Sequence, residues 1–422
     1  MRVFTAELKR LLKTRSILIL MLAALLLAPV LAYFPASFAS WTYKDDSGQE
    51  IRAEGKAALK LEAKNQGPFQ GAITEEILAA ALTRYMDFAA GYEGGLPDGI
   101  YDERVTAGDY YEKVANVDGL LSRVNEAWAD PDTGLAPGLH NLTAEQVKGF
   151  YPQCRQHLKD LLFLEGGANA RTENAVREAF ILYDQVKMPF TYKPGLTSDA
   201  IEYVGIYVFL LVLICTFILV PVFSSDSQMQ ADQILKCTRD GKKCLAVSRI
   251  LAGLLLTGIL YLVCMTLFLL LLNASFDFKG LDTSLQLLVS VSVFLPLTAG
   301  QMELLIAGAG FVSLMATAAF TLFLSGQMKT VASASITAFV FLLLPVIVYM
   351  ILSGNTGNWI RCLLPSGGVG LMNSFTYASM DTGFAYIGNT AIWLPYLMMG
   401  ATAVDSFLFT ALAGVNWCRR EK

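Results

Sequence analysis

The residues best suited to chemistry lie in one charged segment, residues 220–253, which separates two long apolar runs. Its charged side chains are Asp226, Asp232, Lys236, Arg239, Asp240, Lys242, Lys243 and Arg249. The Gly241-Lys242 pair also occurs in phosphate-binding loops, but the leading glycine and the hydroxyl residue of such loops are missing here. The sequence therefore predicts no nucleotide site in this chain.

Other catalytic and metal-binding patterns are missing as well. Neither HExxH nor GxSxG occurs. The two histidines are His140 and His157, and Cys154 would share one helical turn with His157, but no further ligand accompanies them. The seven cysteines follow no disulfide or zinc spacing. We expect neither a metal site nor a catalytic site in the chain, so an enzyme is not indicated.

Asp405 is the one acidic residue deep within an apolar run. An acid in this position could couple ion flow to transport, because ionisable residues inside a membrane mark ion pathways. It could instead be a packing residue that faces the interior of a helix bundle through a hydrogen bond. The second interpretation is favoured because the sequence offers no second deep ionisable residue as its partner.

The composition indicates where these residues must be positioned. Of 422 residues, 54% are hydrophobic and only 16% are charged, and the mean hydropathy is +0.48. Soluble proteins contain about 25% charged residues, so we predict an all-α integral membrane protein. A transmembrane helix takes about 20 apolar residues. Six runs are long enough, at residues 17–34, 203–223, 248–272, 303–324, 331–352 and 391–414.

Basic residues next to these runs predict the orientation, because such residues remain on the cytoplasmic side. Those next to the runs include Lys9, Arg10, Lys13, Arg15, Lys242, Lys243, Lys329, Arg419, Arg420 and Lys422. Six crossings place all of them, and both termini, in the cytoplasm. A seventh crossing at residues 284–300 would break this parity, so we predict that this segment is re-entrant or interfacial.

The first 16 residues are basic and amphipathic, which predicts an interfacial helix. Residues 1–34 would then form one unit, an entry helix followed by the first span. The alternative interpretation is a secretory signal with cleavage after Ala39. It is disfavoured because the apolar run is longer than most signal cores.

Residues 35–200 are predicted to form a large, mostly helical, extracytoplasmic domain. Capping-box patterns occur at residues 47–50 and 143–146, and residues 110–128 carry one apolar stripe at helical spacing. This region has 25 acidic and 16 basic residues, a formal charge of −9. Such a charge favours cationic ligands or simply keeps the domain soluble, and it argues against a nucleic-acid partner.

The order of these parts resembles permease subunits of ABC-2-type ATP-driven exporters, especially those of Gram-positive bacteria. In that family, span 2 ends in a Phe-x-x-Glu-like element, followed by a short helix, a Leu-Leu-x-Thr-like turn, Gly-Arg and span 3. The matching residues here are Phe223, Asp226, Ile234, Leu235, Thr238, Gly241 and Lys242. The chain departs from the pattern with Asp226 for glutamate, Gln230-Ala231 where Gly-Thr is frequent, and Lys242 for arginine.

This resemblance implies export across a bacterial cytoplasmic membrane by residues 201–422. Residues 224–247 would be a coupling segment that docks on a separate ATPase subunit, which binds ATP and Mg²⁺, so this chain holds no cofactor. A second permease subunit, identical or different, would complete the transporter among membrane lipids. Segments near 284–300 and 358–376 would be external re-entrant helices. The alternative is a membrane-anchored sensor or assembly scaffold whose outer domain binds a ligand.

Overall fold

In a computed structural model of the chain, residues 2–45, 47–96, 99–370 and 374–419 are described. Helices make up 70% of the structure and strands only a little of it. The all-α prediction is right for the main architecture and wrong in detail, because the described residues include three two-stranded antiparallel sheets. All three lie outside the membrane-length helices.

The N-terminal part consists of two helices, α1 (Arg2–Lys13) and α2 (Arg15–Ser37). They are separated at Thr14, whose backbone is extended (φ −76°, ψ 116°). The break falls where the basic, amphipathic sequence gives way to the apolar one. The hydroxyl of Tyr207 donates a 3.0 Å hydrogen bond to the carbonyl oxygen of Ala24, and this bond ties α2 to the following membrane-length helix.

Between α2 and that helix, the described residues form seven helices and four short strands. In chain order these are β1 (Ser40–Lys44), β2 (Glu50–Glu54), α3 (Lys56–Asn65), β3 (Gly71–Ala72), α4 (Glu75–Ala90), α5 (Ala107–Lys113), α6 (Ala115–Asn125), α7 (Ala144–Lys148), α8 (Phe150–Gly166), α9 (Ala170–Tyr183) and β4 (Thr191–Tyr192). Short 3-10 turns occur at Gly99–Tyr101, Glu126–Trp128 and Leu139–Asn141. The region is mostly helical, as its sequence predicts.

The capping box predicted at residues 47–50 is wrong. Residues 47–49 belong to the turn between β1 and β2, and Glu50 is the first residue of β2 and pairs with Lys44. The carboxylate of Asp45 accepts hydrogen bonds from the backbone amides of Ser47 and Gln49, both at 2.9 Å. Gly48, at φ +80°, supplies the left-handed residue of the turn. A side chain N-terminal to the pattern thus directs the chain into a hairpin instead of a helix.

The two other helix patterns of this region fare better. The capping box at Thr143 is confirmed, because the side chains of Thr143 and Gln146 each bond the backbone amide of the other residue. The apolar stripe of residues 110–128 is largely buried, but it spans α5, α6 and a 3-10 turn instead of one helix. The break falls at Val114 (φ −133°, ψ −20°), a β-branched residue that gives up side-chain freedom inside a helix.

The rest of the chain contains most of the membrane-length helices. Its elements are α10 (Ser198–Leu219), α11 (Pro221–Gln228), α12 (Ala231–Cys237), α13 (Lys243–Ser275), α14 (Leu285–Leu288), α15 (Ala299–Gln327), α16 (Val331–Ile351), α17 (Gly354–Leu363), α18 (Phe375–Met380), β5 (Phe384–Ile387), β6 (Thr390–Trp393) and α19 (Leu394–Arg419). Among the described residues, six helical segments are long and apolar enough to cross a membrane: α2, α10 with α11, α13, α15, α16 and α19. They match the six predicted runs.

Helix α15 is the centre of the bundle. It packs against α10, α13, α16 and α19, while α2 lies against α10 and α13, and α1 lies against α13. The buried side of α15 carries four hydroxyl residues at four-residue intervals, namely Ser313, Thr317, Thr321 and Ser325. The last three donate hydrogen bonds to backbone carbonyl oxygens, which satisfies these polar groups inside an apolar bundle.

The two ends of the bundle differ in what they carry. Residues 38–197 pack at one end against the α13–α15 connection, where Lys193 pairs with Asp282 at 2.6 Å. Residues 284–300 also lie there, and the β-bridge between Ser284 and Thr298 brings the two ends of that segment together. The opposite end carries α1, the connection from α11 to α13, the α15–α16 turn and the end of α19. Arg420 and Lys422, two of the basic residues on which the predicted orientation depends, lie outside the described residues.

Candidate functional site

The predicted coupling segment begins at a break in the second membrane-length helix. Pro221 lacks the amide that would continue α10, so a new helix, α11, starts there. The backbone amides of Phe223 and Ser224 both donate to the hydroxyl oxygen of Ser325 at 3.0 Å. One side chain of α15 therefore satisfies two amides in the first turn of α11 and fixes the direction of that helix.

Four charged side chains meet next to this break: Glu7 and Arg10 of α1, Asp226 of α11 and Arg249 of α13. We call them the charge cluster. Arg249 contacts the carboxylate of Asp226, and its Nε lies 3.3 Å from Oε1 of Glu7. Nε of Arg10 lies 2.7 Å from the other oxygen of Glu7. Asp226 is 5% exposed and Arg249 only 3%, so these charges are neutralised by one another and hardly by water.

Aromatic rings complete the surroundings of Arg249. Its guanidinium carbon lies 5.3 Å from the ring centre of Trp417 and 5.8 Å from that of Phe223, within the range of cation–π attraction. The indole nitrogen of Trp417 donates a 3.0 Å hydrogen bond to the carbonyl oxygen of Gly241. The end of α19 is therefore bound both to the charge cluster and to the far end of the coupling segment.

Helix α12 is set off from α11 by one residue in an uncommon conformation. Gln230 has φ +57° and ψ 17°, the left-handed region that glycine adopts most readily. This is the position at which the exporter family often has glycine. Beyond this turn, the side chain of Ile234 in α12 is 73% exposed, and Met229 is also exposed.

The segment returns to the bundle through a tight turn at Gly241. A Cβ atom at this position would lie 1.6 Å from the carbonyl oxygen of Leu235, so only glycine fits. The hydroxyl of Thr238 donates to the same oxygen at 2.7 Å. The Thr-x-x-Gly spacing of the sequence thus has a structural reason, because both residues close one turn around Leu235.

The structure divides the seven residues of the family pattern into two groups. Phe223, Asp226 and Gly241 are buried within the chain, whereas Ile234, Thr238 and Lys242 are exposed and Leu235 is half-buried. The first group belongs to or adjoins the charge cluster. The second is open to a partner.

Sequence reasoning missed three residues of this site: Glu7, Arg10 and Trp417. A signal existed for the first two, since Glu7 and Arg10 have the three-residue spacing of a helical ion pair. The sequence does not indicate that α1 lies against α13. Nor does it indicate that Trp417 bonds the backbone of Gly241, since these residues are far apart in the chain.

Asp405 does not join this site. It lies half-buried in α19 beside the exposed side chains of Val404 and Phe407. Its Oδ2 is buried, and no described residue donates a hydrogen bond to that atom. The hydrogen-bonded packing role expected for Asp405 is therefore not found within the described part of the chain. By contrast, the buried carboxylate of Glu303 in α15 accepts a 2.8 Å hydrogen bond from the side-chain amide of Asn273.

An apolar groove of about 620 Å³ runs between α13 and α19 near the charge cluster. Ile250, Leu251 and Val415 are among its walls. Lys243, the first residue of α13, and Arg419, the last residue of α19, also line it. Apolar walls with two cations at one end suit the acyl chain and headgroup of an anionic lipid.

The six long apolar helices, of which α15 is the central one, are typical of a multi-pass helical membrane protein. Neither models of protein families nor curated protein sequences match this chain.

Proposed function

We propose that the chain is the permease subunit of an ATP-driven exporter in a bacterial cytoplasmic membrane. Residues 35–200 lie outside the cell, both termini lie in the cytoplasm, and α1 rests in the membrane interface. A separate ATPase subunit binds ATP and Mg²⁺ and docks on α12. The observation that carries the proposal is a short helix, α12, whose apolar residue Ile234 is exposed and which follows directly on the buried charge cluster, at the end of the bundle that carries α1.

The exposed side of α12 supports the docking step. Ile234 projects from the basic end, half-buried Leu235 adjoins it, and the exposed hydroxyl residue Thr238 follows. Apolar anchors within a polar, charged surrounding are typical of reversible protein interfaces. Phe223 and Asp226 are covered by their own chain, so in this proposal they transmit the movement of α12 and do not contact the ATPase.

The charge cluster supports the transmission step. Movement of α12 acts on α10 through the Pro221 break, and on α19 through the bond between Trp417 and Gly241. It also acts on α13 through Arg249, and on α1 through Glu7. Helix α12 is therefore connected to α1, α10, α13 and α19 by contacts that can be broken and remade.

A second permease subunit is also part of this proposal. Of the six membrane-length helices, α19 has the smallest share of its apolar stretch covered by the rest of the chain. Phe407 and Val404 face outward on it, next to the unpartnered carboxylate oxygen of Asp405. An unsatisfied acid at this depth is costly in lipid alone. A second copy or a homologous chain that packs on α19 would cover this side, with lipid in the groove beside Lys243.

Site-specific crosslinking in the source cells tests the proposal. A photoreactive phenylalanine analogue at Ile234 should crosslink to a protein that binds and hydrolyses ATP. The same analogue at Leu135, an exposed residue of the outer domain, is the matched control and should not capture it. Addition of ATP with orthovanadate, which closes ATPase dimers, should change the crosslinking yield at Ile234.

The result that would contradict the proposal is capture of the ATPase at neither position, or equally at both. Capture at Ile234 of a signalling protein without ATPase activity would favour the sensor or scaffold alternative. In that case the charge cluster would transmit a signal from the outer domain.

A further inference from the structure

The outer domain contains a cavity of about 320 Å³ between α4, α6 and the loop before α7. This volume is at the lower end of the range for small-molecule sites. Its walls combine apolar groups, Ile100, Pro137 and Leu139, with the tyrosine rings of Tyr85 and Tyr101. None of these residues takes part in the proposed coupling site.

Asp118 brings a buried charge to this cavity. It is only 8% exposed, and the hydroxyl of Tyr110 donates to its Oδ2 at 3.0 Å. Its other carboxylate oxygen has no hydrogen-bond partner among the described residues, and no cation acts on its pKa. Burial of an ionised acid without a cation beside it is unfavourable, so a positively charged partner would stabilise this site.

Asn125, about two helical turns further along the lining of α6, presents a second acceptor. It is 3% exposed, and its side-chain amide nitrogen donates to the carbonyl oxygen of Pro137. Its side-chain oxygen has no hydrogen-bond partner among the described residues. The cavity therefore has two buried side chains with unused acceptor oxygens, both on α6, next to tyrosine rings.

We infer that this cavity binds a small protonated amine, whose ammonium group contacts Asp118 and whose short apolar body lies against Pro137 and Leu139. An ammonium N–H group supplies the donor that Oδ1 of Asp118 lacks, and the faces of Tyr85 and Tyr101 attract cations. The formal charge of −9 on residues 35–200 raises the local concentration of cations. The inference does not depend on the exporter proposal.

Other ligand classes fit the cavity less well. An anion would face the buried Asp118 carboxylate, and His140 is the one basic side chain in the cavity lining. A metal ion would find one carboxylate and one imidazole, and no group of three metal-ligand side chains occurs in the described part of the chain. Burial raises the pKa of the Asp118 carboxyl group, and a bound ammonium would oppose this shift by favouring the ionised form.

Thermal unfolding of the purified full-length chain with n-butylammonium chloride tests this inference, at ionic strength held constant with KCl. We expect a saturable rise in the unfolding temperature. The neutral probe n-butanol, at equal concentration, should give no saturable rise. Asp118→Asn, which removes the charge and keeps the shape, should weaken the apparent affinity for butylammonium at least ten-fold. Asp132→Asn removes an exposed acid of the same domain and should leave the affinity unchanged.

Tyr101→Ala is the second variant, since Tyr101 is mostly exposed and its truncation should not impair folding. We expect several-fold weaker butylammonium binding, from loss of the cation–π contact. Equal stabilisation by butylammonium and n-butanol would overturn the inference. The absence of any rise in the unfolding temperature of the unaltered chain with butylammonium would also overturn it. The same holds if Tyr101→Ala binds butylammonium with unchanged affinity while Asp118→Asn either binds it with unchanged affinity or misfolds.

Discussion

Arg249 holds the carboxylates of Asp226 and Glu7 in a position that solvent hardly reaches. Removal of one partner from a buried ion pair leaves an uncompensated charge, whereas replacement of both by apolar residues is often neutral. This asymmetry lets stability and coupling be separated experimentally at the charge cluster.

Asp226→Ala is expected to lower the free energy of unfolding of the full chain by about 1.5–3 kcal/mol, the contribution of a hydrogen bond to a charged group. The loss stays below that of a fully broken pair because Glu7 still contacts Arg249. Thermal unfolding of the detergent-purified chain measures the effect. Asp240→Ala, which removes an exposed acid of the same segment, is the control and should stay within about 0.5 kcal/mol.

The double variant Asp226→Leu, Arg249→Met should regain most of the lost stability, because neither buried charge remains. It should still fail to stimulate the ATPase partner, since the link from α11 to α13 is gone. Unfolding temperature and partner ATPase rate, measured on the same preparations, separate the two effects. Normal stimulation in the double variant would show that the charge cluster only stabilises the fold.

At Gln230, by contrast, a substitution is expected to raise the stability of the folded chain. Its left-handed conformation disfavours residues with a side chain by about 1–2 kcal/mol, so Gln230→Gly should stabilise the corner between α11 and α12. The same change at Gln233, inside α12, should destabilise that helix by about 1 kcal/mol. Hydrogen exchange of the α12 amides measures both, with slower exchange for Gln230→Gly and faster exchange for Gln233→Gly. The same direction of change in both variants would contradict the conformational explanation.

At the scale of secondary-structure elements, the break between α10 and α11 is held by a third helix. Ser325→Ala would leave the amides of Phe223 and Ser224 without their acceptor. We expect a loss of about 1–3 kcal/mol in stability and impaired coupling, because the direction of α11 is no longer fixed. Unfolding temperature and ATPase stimulation are the two measurements.

Ser406→Ala is the matched control for this prediction. The hydroxyl of Ser406 donates only to the carbonyl oxygen of Thr402 within its own helix, α19. Its removal should therefore change stability little. A Ser325→Ala variant that behaves like Ser406→Ala would indicate that water or a rearranged backbone satisfies the two amides.

At the scale of the whole molecule, the two ends of the bundle are predicted to lie on opposite sides of the membrane. One is the basic end, which carries α1, α12 and the end of α19, and the other carries the outer domain. The chain provides its own probes, because Cys237 and Cys244 are exposed at the basic end. In intact cells, a membrane-impermeant maleimide should not label the unaltered chain, although it should label it after lysis. Leu135→Cys, at an exposed loop of the outer domain, should be labelled in intact cells. Labelling of the unaltered chain without lysis would reverse the proposed orientation.

The six membrane-length helices and their approximate bounds could be predicted from the amino-acid sequence. Apolar runs of about 20 residues have few alternatives to a transmembrane helix, so the six predicted segments match the structure closely. The Thr143 capping box was also predictable, because it depends on residues three apart in the chain. Patterns of this kind are local, and local contacts decide them.

The tertiary structure alone decided the composition of the candidate site. Asp226 was predicted to belong to a segment that docks on a partner, yet it is buried within its own chain because α1 and α13 bring Glu7 and Arg249 against it. Residues 47–50 lie in a hairpin because β2 pairs with β1, and a capping pattern carries no information about that pairing. Asp118 and Asn125 became cavity residues only when the loop before α7 folded over α6. In each case, the structure depends on a contact with residues that a local sequence pattern does not include.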